Sequence, residues 1–265
     1  MFIFEWCASI LSTLYDLTGS SFTFSIALLT VSVMVLTLPF AYRSRKGALK
    51  SQLIQPQINQ IKKEHADDPK RSEAELRALH KEHGASPLGG CIPQLLQLPA
   101  FIVVYRTLLG LTRRSTDSTV DGKEAFDPAF LDSGSQMFAD LISSSTMEGL
   151  GMDLSLSLFR SLGDVSELVP HLLLAAAMGL TVWGQQRFNP HRSNKSKGSA
   201  SQLQKQVQAI VFIVFAVVVF TVPASLVVYL LGQGLWRIGQ QFLFTRLLFN
   251  GEDSLGEQVQ RLKQV

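Results

Sequence analysis

The sequence predicts an all-α, polytopic membrane protein with five transmembrane helices. Of its 265 residues, 46% are hydrophobic and 17% are charged. Uncharged runs at 17–42, 84–105 and 168–186 are each close to the roughly 20 apolar residues that span a bilayer. A longer run, 206–245, contains a single charge, Arg237. As one helix it would be roughly 60 Å long, twice the thickness of the hydrocarbon core, so we expect it to turn back at Pro223.

These runs divide the chain into ten predicted segments. The predicted spans are residues 22–42, 89–111, 168–187, 206–222 and 224–245. The segments outside the spans are residues 1–21, 43–88, 112–167, 188–205 and 246–265.

Charge between the spans predicts their orientation. Residues 43–83 hold ten Lys and Arg, and residues 187–205 hold five with no acidic residue. Residues 112–167 hold four basic and ten acidic residues. Because basic loops stay in the cytoplasm, segments 43–88 and 188–205 should lie there, with the N-terminus outside and the C-terminus inside. The tail 246–265 is balanced and supports this orientation only weakly.

Residues 1–21 predict an amphipathic helix in the outer membrane interface. Their apolar residues recur every three or four positions, at Phe2, Trp6, Ile10, Leu14 and Leu17. An extension of the first span is the alternative. The segment lacks the basic start and the small residues of a cleaved signal peptide, so we expect no cleavage. Cys7 and Cys91 then lie on opposite sides of the membrane, too far apart to form a disulfide.

Segment 43–88 predicts a cytoplasmic helical hairpin. Apolar residues recur at helical spacing in its first half, at Leu49, Leu53, Ile54, Ile58 and Ile61. Asp68 and Pro69 form a helix cap and first-turn pair, and Gly84 closes the second helix. Its basic residues include Lys62, Lys63, Arg71 and Arg77. The hairpin is a candidate platform for substrates or partners. A solvated connector without function is the alternative.

Several polar side chains lie inside the predicted spans. They are Thr30, Ser32, Thr37, Gln94, Gln97, Gln185, Gln186, Gln233, Gln240 and Gln241. A buried amide without a partner costs several kcal/mol in an apolar solvent, so these groups should face one another or a water-filled cavity. Hydrogen bonds that hold a helix bundle together are the alternative interpretation.

Four stretches resemble the YidC/Oxa/Alb family of membrane protein insertases. They are "LGGCIPQLLQLPAFIVVYR", "VWGQQRFNP", "VPASLVVYLLGQGLWRIGQQ", and "ALLTVSVMVLTLPF" followed by "LIQPQINQIKKEH". The resemblance covers residues 20–110 and 168–245, in matching order. The sequence shows no segment for the large periplasmic domain of Gram-negative members, so we expect the shorter, Gram-positive-type bacterial form.

The resemblance implies a multi-pass protein of the bacterial cytoplasmic membrane, with a polar groove open to the cytoplasm and to lipid. The expected groove residues are Thr30, Ser32, Met34, Gln94, Gln97, Gln185, Tyr229 and Gln233. Expected partners are nascent membrane proteins and membrane lipids, with the SecYEG translocon and the ribosome as candidates. Direct nucleic-acid binding is not expected outside the ribosome. No catalytic residue, metal or cofactor is implied.

Two positions depart from the family pattern. Met34 stands where an arginine commonly lies five residues before the first-span proline, and Leu230 replaces the second residue of an aromatic pair that begins with Tyr229. Arg43 and Arg45 lie beyond Pro39, and Arg106 lies near the outer end of the second span, so none is a clear replacement.

Other classes of function fit less well. A transporter or channel predicts internal repeats or paired intramembrane charges, which the sequence lacks. An intramembrane enzyme needs a nucleophile and a base at membrane depth, yet His171 is the one histidine in a span and no Ser or Asp accompanies it. An assembly scaffold without insertion activity stays open as an alternative.

Overall fold

The computed structural model describes residues 2–65, 67–83, 92–120, 123–187 and 217–249. The chain divides into two compact units, one of residues 1–34 and 100–238, the other of residues 35–99 and 239–265. Eight α-helices are assigned in the described part: α1 Phe2–Leu17, α2 Phe22–Leu53, α3 Gln55–Glu64, α4 Pro69–Glu82, α5 Ile92–Leu111, α6 Gln136–Ser143, α7 Val165–Arg187 and α8 Ala224–Phe249. Residues 217–221 are also helical. The described chain is mostly helical, as predicted.

The first unit is built on one apolar core. Side chains from α1, α2, α5, α6, α7 and α8 contribute to it, and Leu11, Ile26, Leu108 and Leu141 are fully or almost fully buried. The Tyr15 hydroxyl lies 3.0 Å from Asp140 Oδ2, which connects α1 to α6. Burial raises the pKa of Tyr15, and the Asp140 carboxylate raises it further because it accepts a hydrogen bond from the neutral hydroxyl and its charge disfavours the phenolate. In the same helix, Phe2, Ile3 and Trp6 are exposed.

Between α5 and α7 the chain forms a compact segment that the sequence did not predict. Strands β1 Arg114–Val120 and β2 Lys123–Phe126 pair antiparallel, and β3 Glu148–Gly149 pairs antiparallel with β4 Met152–Asp153. A short 3₁₀ helix, Arg160–Gly163, precedes α7. We call residues 112–164 the cap segment.

One arginine organises the cap segment. The Arg114 guanidinium donates to the carbonyl oxygens of Glu124 and Ser145 at 2.8 and 3.0 Å, and to Ser155 Oγ at 2.8 Å. It also lies 3.5 Å from the buried Asp153 carboxylate and 4.3 Å from the centre of the Phe126 ring. These contacts join both strand pairs into one structure.

The cap segment also holds the start of α8. The backbone N–H groups of Ala224 and Ser225 donate to the carbonyl oxygens of Leu156 and Leu154, at 2.8 and 2.9 Å. The first N–H groups of a helix have no partner within the helix, so these bonds satisfy two of them. Pro223 lies directly between the helical residues 217–221 and α8, so the helix is interrupted at the position where the turn was predicted.

The second unit contains the hairpin of α3 and α4. Ile54 and Ile58 are buried against Leu76 and Leu79, and His65 Nε2 lies 2.9 Å from Glu75 Oε2. The Asp68 side chain accepts a hydrogen bond from the Arg71 backbone N–H, which confirms the predicted cap. Gly84, the predicted end of the hairpin, lies outside the described residues.

Helix α2 is longer than the predicted span of 22–42. It continues without a break through Pro39 to Leu53, and its 32 residues give a length of about 48 Å. Leu49 is buried with Phe244 and Leu248, and Leu53 packs against the same cluster. Because this apolar stripe packs on α8, the helix does not end where its charged residues begin.

Helix length and composition identify two described helices that could cross a membrane, Phe22–Leu53 and Val165–Gln185. Gln97–Leu111 is apolar but shorter. The predicted span 206–222 is described only from residue 217 onward.

Candidate polar groove

The candidate site lies in the first unit, along one face of α8. Tyr229, Gln233 and Arg237 are spaced four residues apart, so their side chains emerge on the same face. Gln233 Nε2 lies 2.5 Å from the Tyr229 hydroxyl oxygen, and both side chains are buried, with 5% and 0% of their surface exposed. Arg237 follows one turn after Gln233, and its side chain is half-buried. This face therefore presents two polar groups and a cation in one row.

Two glycines allow neighbouring helices to approach α8 closely. A Cβ atom at Gly232 would lie 3.2 Å from Thr30 Cγ2 of α2. A Cβ atom at Gly234 would lie 2.5 Å from Thr181 Cγ2 and 3.0 Å from Gln185 Nε2, both on α7. Within this unit, Thr30 and Gln185 therefore lie against α8 at the glycines on either side of Gln233.

Other predicted groove residues of α2 have different surroundings. The Ser32 hydroxyl donates to the Leu28 carbonyl oxygen at 2.9 Å, within its own helix. The Thr30 hydroxyl does the same with Ile26 at 2.7 Å. Met34 is buried, with 2% of its surface exposed. An arginine at position 34 would consequently be a buried cation.

The two glutamines of α5 are not in the first unit. The side chain of Gln94 lies outside the described residues. Gln97 belongs to the second unit, where its Nε2 is buried and has no hydrogen-bond partner in the described part of the chain. A buried amide donor without an acceptor is costly.

Four basic residues predicted for the hairpin, Lys62, Lys63, Arg71 and Arg77, are exposed. Arg71 and Arg77 pair with Glu75 and Glu73 one turn away, at 3.4 and 2.5 Å. Such surface pairs contribute little to stability, so all four cations are accessible for contacts with a partner. Lys62 and Lys63 lie in the last turn of α3.

The site offers hydrogen bonds and one positive charge. Among the described residues, no group of His, Cys, Asp and Glu could hold a metal ion. His171 is buried, and its Nδ1 lies 2.7 Å from the Glu167 carbonyl oxygen. The arrangement suits binding of a polar chain segment.

The sequence prediction of the site did not include four residues. Arg237 is the single charge of the run 206–245 and does not belong to the predicted groove residues. Thr181, Gly232 and Gly234 were not singled out. The four-residue spacing of Tyr229, Gln233 and Arg237 was available in the sequence and could have identified the cation.

Comparison with known proteins identifies the family. A family model described as 60Kd inner membrane protein matches residues 13–251, which is most of the chain. The chain belongs to this family. It is the YidC/Oxa/Alb family, and the resemblance found in the sequence is thus confirmed.

Relatives of this member of the 60Kd inner membrane protein family are longer than the chain itself. "Membrane protein insertase YidC" of Aquifex aeolicus is 26% identical over 243 residues, covering 92% of this chain and 39% of the relative. The protein of the same name from Oleidesulfovibrio alaskensis is 28% identical over 222 residues, covering 84% and 34%. That from Helicobacter pylori strain J99 is 22% identical over 241 residues, covering 91% and 36%. The chain spans less than two fifths of these relatives' length.

Proposed function

We propose that this chain is a membrane protein insertase and chaperone that moves hydrophilic tails and transmembrane segments of other proteins from the cytoplasm into the bilayer. The observation that carries the proposal is the row of Tyr229 and Gln233 on α8, with Thr30 and Gln185 packed beside it, in a chain of the family whose relatives are named insertases.

The chemistry of the row suits transfer of a polar tail. Moving a peptide amide from water into an apolar solvent without a partner costs several kcal/mol. Amide and hydroxyl groups along a hydrated groove replace some of the lost hydrogen bonds, while the transmembrane segment moves sideways into lipid. Burial of about 20 apolar residues supplies the driving force, so no covalent step is needed.

The proposed topology has five spans, with the N-terminus outside and segments 43–88, 188–205 and 246–265 in the cytoplasm. Large exposed apolar side chains on the candidate spans support contact with lipid, as on α7 with Leu172, Leu173, Leu180 and Trp183. The exposed face of α1, with Phe2, Ile3 and Trp6, fits a helix lying in the outer interface. The loop charges supply the orientation.

Cysteine labelling tests the topology. In a variant without Cys7 and Cys91, we expect Ser143→Cys in the cap segment to react with an impermeant maleimide added to intact cells. Lys70→Cys in the hairpin should react only after the membrane is opened. Labelling of position 70 from outside would contradict the orientation.

Reconstitution tests the insertase function. Purified protein in liposomes should insert a small test protein of one span, and each copy should insert more than one substrate molecule. Liposomes that contain an unrelated helical membrane protein are the control. If insertion does not exceed this control while the protein still co-purifies with newly made membrane proteins, the scaffold function is correct instead.

A further inference from the structure

A charged cavity lies in the cap segment, at the point where the chain enters α7. Its volume is about 420 Å³, and clefts of roughly 300–1,000 Å³ commonly hold small ligands. The charged groups that line it are those of Arg114, Arg160, Glu124, Asp153, Asp164 and Glu167. Four carboxylates against two guanidinium groups give the lining an excess of two negative charges, which favours a cationic ligand.

The interior of the cavity and its mouth differ in how their charges are paired. Inside, Arg114 lies beside Asp153, and Glu167 Oε2 accepts a hydrogen bond from the Asp153 backbone N–H at 2.9 Å. Glu124 and Arg160 are exposed at the mouth. Within the described part of the chain, neither of these two side chains forms an ion pair. The mouth therefore has a carboxylate and a guanidinium that are both accessible to a ligand.

The length of α7 places the cavity at the level of the lipid headgroups. The 23 residues of this helix give a length of about 34 Å, close to the roughly 30 Å of the hydrocarbon core. When α7 crosses the membrane, its first turn at Val165 therefore lies near one boundary of the core. Arg160, Asp164 and Glu167 are within five positions of Val165, so they lie where the headgroups lie.

The residues around the 3₁₀ helix that precedes α7 have one polar side and one apolar side. Residues three positions apart lie on the same side of such a helix. Ser161 and Asp164 line the cavity, whereas Phe159, Leu162 and Val165 are 68%, 57% and 75% exposed. Large exposed apolar side chains beside charged ones are typical of a segment in the membrane interface. Acyl chains can cover this apolar side while the headgroup of the same lipid enters the cavity.

We propose that the cavity binds the headgroup of a phospholipid with a primary ammonium group, of which phosphatidylethanolamine is the example. The ammonium group contacts the carboxylates of Glu124 and Glu167, and the phosphate contacts Arg160. A primary ammonium donates three hydrogen bonds, and those to carboxylates are strengthened by charge. The quaternary ammonium of phosphatidylcholine has no N–H to donate, and phosphatidylglycerol would bring a further negative charge. Placement in the outer leaflet rests on the proposed topology, and the site is additional to the polar groove.

The test measures lipid binding to the purified full-length protein in detergent. Native mass spectrometry counts bound lipid while phosphatidylethanolamine, phosphatidylcholine or phosphatidylglycerol with identical acyl chains is added. The wild-type protein should bind one phosphatidylethanolamine at least fivefold more tightly than either of the other lipids.

Two variants at the mouth separate the ammonium contact from the phosphate contact. Glu124→Gln should weaken binding of phosphatidylethanolamine by roughly tenfold and leave phosphatidylcholine within about twofold, as expected for loss of one charged hydrogen bond. Arg160→Gln should weaken both lipids equally, because both carry a phosphate. Glu148→Gln, at an exposed carboxylate of the cap segment that does not line the cavity, is the matched control and should change neither lipid.

Soluble competitors distinguish a lipid from other sources of an ammonium group. Phosphoethanolamine and a lysine-containing peptide should displace the lipid only at much higher concentration, since neither contacts the apolar side. Leu162→Ser should weaken binding of the lipid severalfold without changing binding of phosphoethanolamine. Displacement by either competitor as effective as that by the lipid would show that the ligand is a soluble amine or a polypeptide, and the inference would be wrong.

Three further results would overturn the inference. Equal binding of phosphatidylethanolamine and phosphatidylcholine to the wild-type protein would exclude an ammonium site. Tighter binding of phosphatidylglycerol that Arg160→Gln removes would identify an anion site instead. Unchanged binding in both Glu124→Gln and Arg160→Gln would mean that the lipid binds elsewhere. Because these measurements use no substrate protein, they can fail while insertion in liposomes succeeds, and the reverse.

Discussion

Gln233 and Tyr229 form a hydrogen-bonded pair in the interior of the first unit, with 2.5 Å between Nε2 and the hydroxyl oxygen. Tyr229→Phe removes only the hydroxyl group, and Gln233→Leu removes the amide with little change in volume. We expect the two substitutions to be non-additive in the free energy of unfolding, with a coupling of about 0.6–2 kcal/mol. Unfolding of the four proteins in detergent measures this coupling. Additive effects would mean that the contact contributes no stability.

The same variants also test the groove. Gln233→Leu should reduce insertion of the test protein severalfold even where it leaves the folded state intact. The reason is that it removes the polar amide from the row on α8. Full activity of a folded Gln233→Leu variant would show that the amide serves only packing.

Close packing at Gly234 predicts that this position does not tolerate a larger side chain. Gly234→Ala places a methyl group 2.5 Å from Thr181 Cγ2, whereas nothing lies within 4 Å of the corresponding position at Gly239 on the same helix. Overpacking of this kind costs about 1–3 kcal/mol, while alanine in an open helical position is favourable by up to about 1 kcal/mol. Thermal unfolding should show a lower Tm for Gly234→Ala and an equal or higher Tm for Gly239→Ala. The reverse order would refute the close contact between α7 and α8.

Neighbouring arginines allow a matched test of the cap segment. Arg114 is 15% exposed and contacts both strand pairs, whereas Arg113 forms an exposed pair with Asp127. Arg114→Gln should destabilise the cap segment by about 3 kcal/mol or more, because it leaves the Asp153 carboxylate buried without its cation. Arg113→Gln should cost less than about 1 kcal/mol. Limited proteolysis of the cap segment measures the difference, and equal cleavage of both variants would contradict the assigned network.

Removal of the hairpin tests its role as a platform. Deletion of residues 55–82, joined by a short Gly/Ser linker, should reduce insertion far more than accumulation of the protein. The deletion begins after Leu49 and Leu53, which pack with Phe244 and Leu248 and are needed for the fold. Replacement of Lys62, Lys63, Arg71 and Arg77 by glutamine keeps both helices and tests the charges alone. A stable and fully active deletion would favour the connector interpretation.

Local patterns in the sequence predicted much of the helical framework. The Asp68 cap, the helix break at Pro223 and the apolar stripe of the hairpin depend on residues close to one another in the chain, so the sequence could predict them. The end of α2 could not be predicted in this way, because Leu49 packs against Phe244 and Leu248, almost two hundred positions later.

The cap segment and part of the groove depend on distant contacts. Arg114 contacts Ser145, Asp153 and Ser155, which lie 31 to 41 positions later in the chain. No short sequence motif predicts these contacts. The polar groove residues were predicted individually, but the sequence did not show that Thr30 and Gln185 lie on either side of α8. Their placement depends on Gly232 and Gly234, whose role appears only once the helices pack.

Photo-cross-linking tests the central claim most directly, namely that substrates pass along the polar row of α8. A photoreactive phenylalanine analogue is placed at position 233 or at position 235, where Leu235 is 57% exposed. A stalled nascent chain of a one-span substrate is then irradiated with each variant in membranes. We expect its hydrophilic tail to cross-link from position 233 and not from position 235. Cross-links to the tail that are equally strong from both positions, or to lipid alone from both, would contradict the account.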